Sequence, residues 1–368
     1  FLTNSLTMAI DVLASAATAA IGAILSSACI IAVGAVAYRW SLLSETATRE
    51  LSKLQSTLLE PLLAFASLCS LTSADLVASA PFLIWPLLHV TIALSLAFAL
   101  LPNTPRRGAL LVCATFGNAG ALPTALVPAL LTGSAISQAM LYVQVYLATW
   151  RLLLWSVAPA LLSSARLKKS DDKVKAAAPG VEETTAGWLV RMLLPPPSIG
   201  SVAGLSLAFA PAAWRAAVLS GPLSFGYVAA KSAGGASPPL VLINLGFALS
   251  NVGSDHASSG APASTTAASF TAYEMAVVVL VKLVLLPAAH LLLCPTLHPT
   301  GGAREGSGLD PFHLVLLLQS AMPAAVSLQA IFHREGAETK PLGPLMLLQY
   351  GACMPTIVLA IVCLSQLA

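Results

Sequence analysis

The chain has 368 residues, of which 57% are hydrophobic and only 9% are charged, and its mean hydropathy is +0.85. A soluble domain carries roughly 25% charged residues, so this composition excludes a soluble globular protein. The net charge of +3 is too small to indicate nucleic acid as a partner. We therefore expect an all-α polytopic membrane protein, because helices satisfy their own backbone hydrogen bonds within lipid.

Apolar runs of about 20 residues are long enough to cross a bilayer, and the chain contains ten of them. Five precede and five follow a polar linker at 163–187, which predicts two repeats, 1–162 and 188–368. Because five is odd, the repeats must be inverted relative to each other. In chain order, the predicted spans cover 8–38, 51–71, 81–101, 108–133, 138–161, 193–210, 223–249, 270–293, 314–332 and 345–367.

Two predicted spans are interrupted near mid-membrane by residues that disfavour a helix. Proline removes a backbone donor, and glycine lowers the cost of leaving the helix. Backbone groups freed in hydrocarbon are costly unless protein, water or a ligand pairs with them. Paired interruptions in corresponding halves therefore indicate a transporter's substrate site. The interrupting residues are Gly117, Asn118, Gly120 and Pro123 in the fourth span, and Gln319, Ser320 and Pro323 in the ninth.

Basic residues predict the orientation of the chain. The loops after even-numbered spans hold only Arg215 and Arg304. By the positive-inside rule, the loops after odd-numbered spans and the linker are then cytosolic, and both termini are lumenal or extracellular. Those loops hold Arg39, Arg49, Lys53, Arg106, Arg107, Arg166, Lys168, Lys169, Lys173, Lys175, Arg191, Arg334 and Lys340.

Four motifs resemble the auxin efflux carriers, both the PIN proteins and the PIN-LIKES branch. The resemblance implies ten helices in two inverted repeats, with broken helices 4 and 9 crossing. It also implies that a transport domain of helices 3–5 and 8–10 moves against a scaffold of helices 1, 2, 6 and 7, and that the cargo is indole-3-acetate. The short linker favours the endoplasmic reticulum over the plasma membrane. The motifs are EPLLAFASL at 60–68, FGNAGALPTALVPAL at 116–130, YVQV at 142–145 and LQSAMPAAVSLQAIFHREG at 318–336.

The two breaks suit an anion. A half-helix that starts at a break presents free N–H groups and the positive end of its dipole, and two such ends could hold a carboxylate without a cationic side chain. Pro123 and Pro323 suit the first position of these half-helices. Asn118 and Gln319 either contact the ligand or tie off the freed backbone.

Several other residues are candidates for the same site. Ser320 is a further polar candidate at the second break. Gln144 matches a glutamine that lines the site in the family, and interhelical hydrogen bonding is its alternative role. Apolar residues that could pack against an aromatic ring are Phe65, Leu122, Val127 and Val326.

Glu60 is the sharpest charged candidate because it lies near the middle of its span, where a charge costs a few kcal/mol unless paired or hydrated. It could be a proton or cation site, or a salt-bridge partner of Lys231 or Lys282. The family usually has an uncharged residue there, and Ala64 replaces a serine found in several carriers. Most tryptophans, by contrast, are expected near span ends as interfacial anchors.

The sequence contains no phosphate-binding glycine loop, metal-ligand cluster or nucleophile elbow, so we expect neither an enzyme nor a cofactor. We expect an alternating-access transporter of a small organic anion, with auxin-like carboxylates as the leading class and an elevator-like or rocking motion. The expected partners are that anion and the bilayer, with a homodimer as one possible assembly. One alternative is a sodium- or proton-coupled symporter of bile-acid-like or dicarboxylic acids. The other is a non-transporting sensor that signals through the linker.

Overall fold

A computed structural model describes residues 2–170, 195–258, 270–297, 310–339 and 341–367. Within these ranges all regular structure is helical, apart from one isolated bridge between Gly117 and Ala324. Four helical stretches are long and apolar enough to cross a membrane, which makes the chain an all-helical polytopic membrane protein. They are Ala80–Leu100, Ser134–Ser163, Ala272–Leu293 and Leu342–Leu364.

The first half of the chain contains helices α1 to α8. Their bounds are α1 (Leu2–Arg39), α2 (Glu45–Leu54), α3 (Glu60–Leu68), α4 (Ser73–Ala78), α5 (Ala80–Leu100), α6 (Arg107–Thr115), α7 (Ala121–Leu130) and α8 (Ser134–Ser170). A π-helical turn, Gln55–Leu59, joins α2 to α3. Pro61 lies just after this turn. In a regular α-helix its ring would clash with the preceding turn, and the wider π-helical turn makes room for it.

The second half contains helices α9 to α17. Their bounds are α9 (Pro196–Ala208), α10 (Ala212–Leu219), α11 (Ser224–Gly235), α12 (Ser237–Ser258), α13 (Ala272–Leu280), α14 (Leu286–Leu297), α15 (Pro311–Ala321), α16 (Leu328–Arg334) and α17 (Leu342–Leu367). A π-helical turn, Val281–Leu285, joins α13 to α14.

Three boundaries differ from the predictions. The predicted span 223–249 is two helices, α11 and α12, because Pro238 and Pro239 begin a new helix and cannot continue the old one. The predicted linker begins at 163, but α8 continues to Ser170 through good helix formers. The predicted loop 251–269 is helical to Ser258. The rest of both segments, 171–187 and 259–269, lies outside the described residues, as do Lys173, Lys175, Trp188, Arg191, Arg304 and Lys340.

Close backbone contacts join the two halves of the chain. Helix α1 packs against α12, and α3 packs against α9. A Cβ atom added at Gly246 would collide with the carbonyl of Ile31, and one added at Gly200 would collide with the carbonyl of Pro61. Glycine is therefore what allows these helices to approach each other, as is common within membranes.

We expect Gly200→Ala and Gly226→Ala to change stability in opposite directions. Both glycines lie inside helices, where alanine is favoured by about 1 kcal/mol. Open space surrounds Gly226, so its substitution should be neutral or raise the unfolding temperature. At Gly200 the new methyl group meets backbone, and overpacking of this kind costs about 1–3 kcal/mol. Thermal unfolding in detergent measures both, and equal shifts would contradict the close approach of α3 and α9.

Candidate functional site

The two predicted interruptions lie against each other. Helix α6 ends at Thr115 and α7 begins at Ala121, while α15 ends at Ala321 and α16 begins at Leu328. The non-helical residues between them pair as a short antiparallel bridge. The N–H of Asn118 donates to the carbonyl of Pro323 at 2.7 Å, and the N–H of Ala325 donates to the carbonyl of Phe116 at 2.9 Å. Each break therefore supplies hydrogen-bond partners for some of the backbone groups that the other break leaves without helical partners.

The proline positions differ from the prediction that both prolines open a half-helix. Pro123 is the third residue of α7, still within the first turn, where its missing N–H would have no helical partner anyway. Pro323 lies five residues before α16 begins and contributes its carbonyl to the bridge instead. The second break is thus longer than the first, and only seven residues of helix follow it.

A cavity of about 110 Å³ lies beside the paired breaks. Its wall is formed by both breaks together with α1, α3, α8 and α12. Of the predicted residues, Gly117, Asn118, Gly120, Glu60 and Val326 border it.

Asn118 has two roles in this wall. Its Oδ1 accepts from the N–H of Ala121 at 3.2 Å, which caps the start of α7, and its Nδ2 donates to the hydroxyl of Tyr350 at 2.9 Å. The side-chain oxygen of Asn118 therefore satisfies a backbone N–H group freed by the break, as one of the two predicted roles requires. Because the residue also borders the cavity, its position suits ligand contact as well.

The other predicted polar residues lie away from the cavity wall. Gln319 is buried and donates to the carbonyl of Ala119 at 3.0 Å, so it satisfies a backbone carbonyl of the first break. Ser320 donates to the carbonyl of Leu317 within its own helix. Gln144 does not line the cavity, and its Oε1 has no partner among the described residues. Likewise Phe65, Leu122 and Val127 do not line it, since Leu122 and Val127 pack into the core.

Glu60 does not pair with either predicted lysine. Its Oε1 accepts from the hydroxyl of Ser237 at 2.9 Å. Lys231 is exposed on α11, and Lys282 is fully buried behind the first break, where its Nζ donates to the carbonyl of Thr115 at 2.6 Å. Within the described residues, no ion pair shorter than 4.0 Å joins Glu60 to a lysine.

Lys282 lies in a polar cluster that contains two histidines. The indole N–H of Trp85 donates to Nε2 of His290, whose Nδ1 lies 2.9 Å from the carbonyl of Leu286. These contacts assign His290 the neutral form with its proton on Nδ1. The ring of His89 lies 5.4 Å from that of His290. His290 and Trp85 are both buried.

Sequence reasoning missed the role of three residues at the centre of α8. Trp150, Arg151 and Trp155 are 2%, 8% and 1% exposed, and all three border the cavity. They lie near the middle of α8, which runs from Ser134 to Ser170. An arginine inside an apolar run was the signal that could have identified the site.

The cavity wall therefore combines a guanidinium, a side-chain amide, a carboxylate and two indole rings. A guanidinium binds carboxylates bidentately, and aromatic side chains pack well against an aromatic ligand. Such a wall can hold a molecule that has both an apolar ring and a charged group.

A comparison with protein-family models identifies a family for the chain. A family model described as membrane transport protein matches residues 19–361, a range that contains both breaks and the whole cavity wall. A search of curated proteins gave no match.

Proposed function

Because the chain belongs to the membrane transport protein family, which includes the PIN auxin efflux carriers, we propose that it transports a small organic anion by alternating access. Auxin-like carboxylates such as indole-3-acetate are the leading class of cargo. The observation that carries this proposal is the cavity beside the two paired breaks, where Arg151 and Asn118 lie next to Trp150 and Trp155.

The proposed architecture has ten spans in two inverted repeats, with the broken fourth and ninth spans crossing in a transport domain. The scaffold consists of the first, second, sixth and seventh spans. Two contacts support this grouping, since α1 packs on α12 and α3 packs on α9, all of which belong to the proposed scaffold. The cavity is bordered by α1, α3 and α12 from the proposed scaffold and by the breaks and α8 from the proposed transport domain. An elevator-like or rocking shift between the two groups would therefore carry the cargo.

The experiment that tests this function is uptake of radiolabelled indole-3-acetate by the purified protein in liposomes. We expect saturable uptake that a sodium gradient or a proton gradient does not change. Uptake that requires either gradient, or that occurs only with bile acids or dicarboxylates, would favour the coupled symporter. Binding without flux would favour the sensor, in which the linker transmits the signal.

We expect Asn118→Asp to reduce anion uptake at least tenfold without lowering the unfolding temperature. Aspartate caps a helix as well as asparagine does, so α7 should still form. The new negative charge would stand in the cavity wall and repel an anion. Asn103→Asp is the matched control, since it makes the same change in an exposed loop. Equal uptake by the two variants would count against an anionic cargo.

The proposed location is the endoplasmic reticulum membrane, with the linker in the cytosol and both termini in the lumen. The short linker supports the endoplasmic reticulum, and the excess of lysine and arginine in the loops after odd-numbered spans supports the orientation. A protease-protection assay with a tag in the linker tests the orientation, because a cytosolic linker is cleaved in intact microsomes.

A further inference from the structure

Helix α2 and the π-helical turn that follows it bury a polar face. Helices normally turn an apolar face inward and leave their polar residues outside. Here the buried residues recur at helical spacing, so they share one side, and none is more than 4% exposed. They are Thr48, Ser52, Gln55 and Ser56. Since this face is not selected for apolar packing, it requires another explanation.

The polar face packs against helices of both proposed groups. Helix α2 contacts α12, which belongs to the proposed scaffold, and α16, which belongs to the proposed transport domain. Each of these helices carries a buried amide. Asn244 of α12 donates to the hydroxyl of Ser52 at 3.4 Å, and Gln329 of α16 is 3% exposed. The contact between α2 and α16 must therefore change if the two groups move relative to each other.

The hydrogen bonds of this polar contact are incomplete. Nε2 of Gln55, Nε2 of Gln329 and Oδ1 of Asn244 have no partner among the described residues. A buried polar atom without a partner costs free energy that contact with water would recover. Separation of α2 from α16 therefore regains part of its own cost once water enters. The glycine contacts of α1 with α12 and of α3 with α9, in which backbone meets backbone, suit a fixed interface instead.

The polar contact adjoins the cavity on the side predicted to be cytosolic. Glu60 and Ser327 border the cavity. Ser56 precedes Glu60 by about one helical turn, and Gln329 lies just beyond Ser327. Helix α2 follows one loop that is predicted to be cytosolic, and α16 leads into another. The contact thus lies between the cavity and the cytosolic loops.

Resting on the proposed function, we propose that the contact between α2 and α16 is the cytosolic gate of the transporter. In the closed gate the polar faces meet and block the path from the cavity. When α16 moves away with the transport domain, water fills the gap and pairs with the amides that lack partners. The polar residues thus serve to let the contact open, and they need not touch the cargo.

Arg49 and His333 lie at the outer rim of this gate. Arg49 is exposed on α2, and His333 is half-buried in the last turn of α16. Burial, and next the positive charge of Arg49, lower the pKa of His333 below its ordinary value. His333 is therefore neutral at pH 7 and does not repel Arg49. A negative side chain at position 333 would attract Arg49 and hold the gate closed.

The test measures the access of water to Ser56 in intact microsomes that contain the full chain. A charged methanethiosulfonate reagent reaches only the cytosolic face, and the six native cysteines set the background. Ser56→Cys should be labelled above this background, but more slowly than Thr46→Cys, the control at an exposed position of α2. If Ser56→Cys does not fold, Ser52→Cys on the same buried face replaces it.

Charge substitutions at the rim test the gate itself. His333→Glu should slow the labelling of Ser56→Cys about threefold, as expected for an ion pair at a partly exposed position, and leave that of Thr46→Cys unchanged. His333→Gln has the same size without the charge and should keep the native rate. Adding Arg49→Gln to His333→Glu should restore that rate, because the attraction is lost.

The labelling rates decide the inference. If Thr46→Cys reacts and both buried-face reporters stay at background, the contact does not open and the gate is overturned. Equal slowing by His333→Glu and His333→Gln would also overturn it. The expected labelling pattern without anion flux in liposomes would sink the proposed function and leave the gate standing. Anion flux with the same labelling rate in every rim variant would do the reverse.

Discussion

Replacing Lys282 with methionine should reduce anion uptake at least tenfold without lowering the unfolding temperature of the purified protein. Lys282 is fully buried, and its Nζ donates to the carbonyl of Thr115. A hydrogen bond to a charged group contributes about 1.5–3 kcal/mol. The desolvation of a buried ion costs several kcal/mol. Methionine leaves the carbonyl of Thr115 without this donor, which costs about 1–3 kcal/mol. It also removes the larger desolvation cost of the buried ion, so the fold does not depend on this ammonium.

Transport should depend on the ammonium because of where it lies. Thr115 is the last residue of α6, so Lys282 occupies the negative end of that helix dipole. A Cβ atom added at Gly117, a residue of the cavity wall, would lie 2.9 Å from its Nζ. The positive charge thus lies directly behind the wall and favours an anion in the cavity. Without it, we expect uptake to fall at least tenfold.

The measurement pairs uptake in liposomes with thermal unfolding in detergent. Lys231→Met is the matched control, since Lys231 is exposed on α11, and it should change neither quantity. A strongly destabilised Lys282→Met protein would show that the lysine is structural. Normal uptake would show that its charge does not act on the cavity.

Replacing Gln349 with leucine should both destabilise the protein and abolish uptake. Gln349 is fully buried on α17, and its Oε1 accepts from the N–H of Ala324, the residue of the second break that bridges to Gly117. Leucine would leave that N–H buried without a partner, which costs about 1–3 kcal/mol in a protein interior. The break would then lose the support that holds it against the first break.

The expected result is a drop of several degrees in the unfolding temperature together with loss of uptake. Gln138→Leu, at an exposed position of α8, is the control and should be neutral. Gln349→Glu keeps an acceptor oxygen and should recover part of the stability. If Gln349→Leu behaved like the control, the hydrogen bond to Ala324 would have no role in holding the break.

The positions of the breaks could be predicted from the sequence because they have a local cause. Glycine and proline at 117–123, and proline at 323, disfavour a continuous helix through their own backbone properties. The family could also be predicted from the four motifs, two of which lie at the breaks, and the match over 19–361 confirms it. The ten spans and the inverted repeats remain predictions.

The choice of residues that face the cavity could not be predicted. Leu147, Trp150, Arg151, Leu154 and Trp155 line it from one face of α8. Gln144 lies on nearly the same face as Arg151, but two turns away, or about 10 Å along the axis. The sequence indicated the face of the helix but not which of its turns borders the cavity, because that depends on where the two breaks lie along α8.

The amino-acid sequence by itself therefore determined the class of protein, because a chain with so few charged residues is compatible with lipid rather than water around it. The sequence also determined where the helices break. Only the tertiary structure decided what completes each break. Gln349 and Tyr350 on α17 contact Ala324 and Asn118, partners that lie 25 and 232 positions away. Pairings of this kind depend on how helices pack, and packing brings together residues that no local pattern connects.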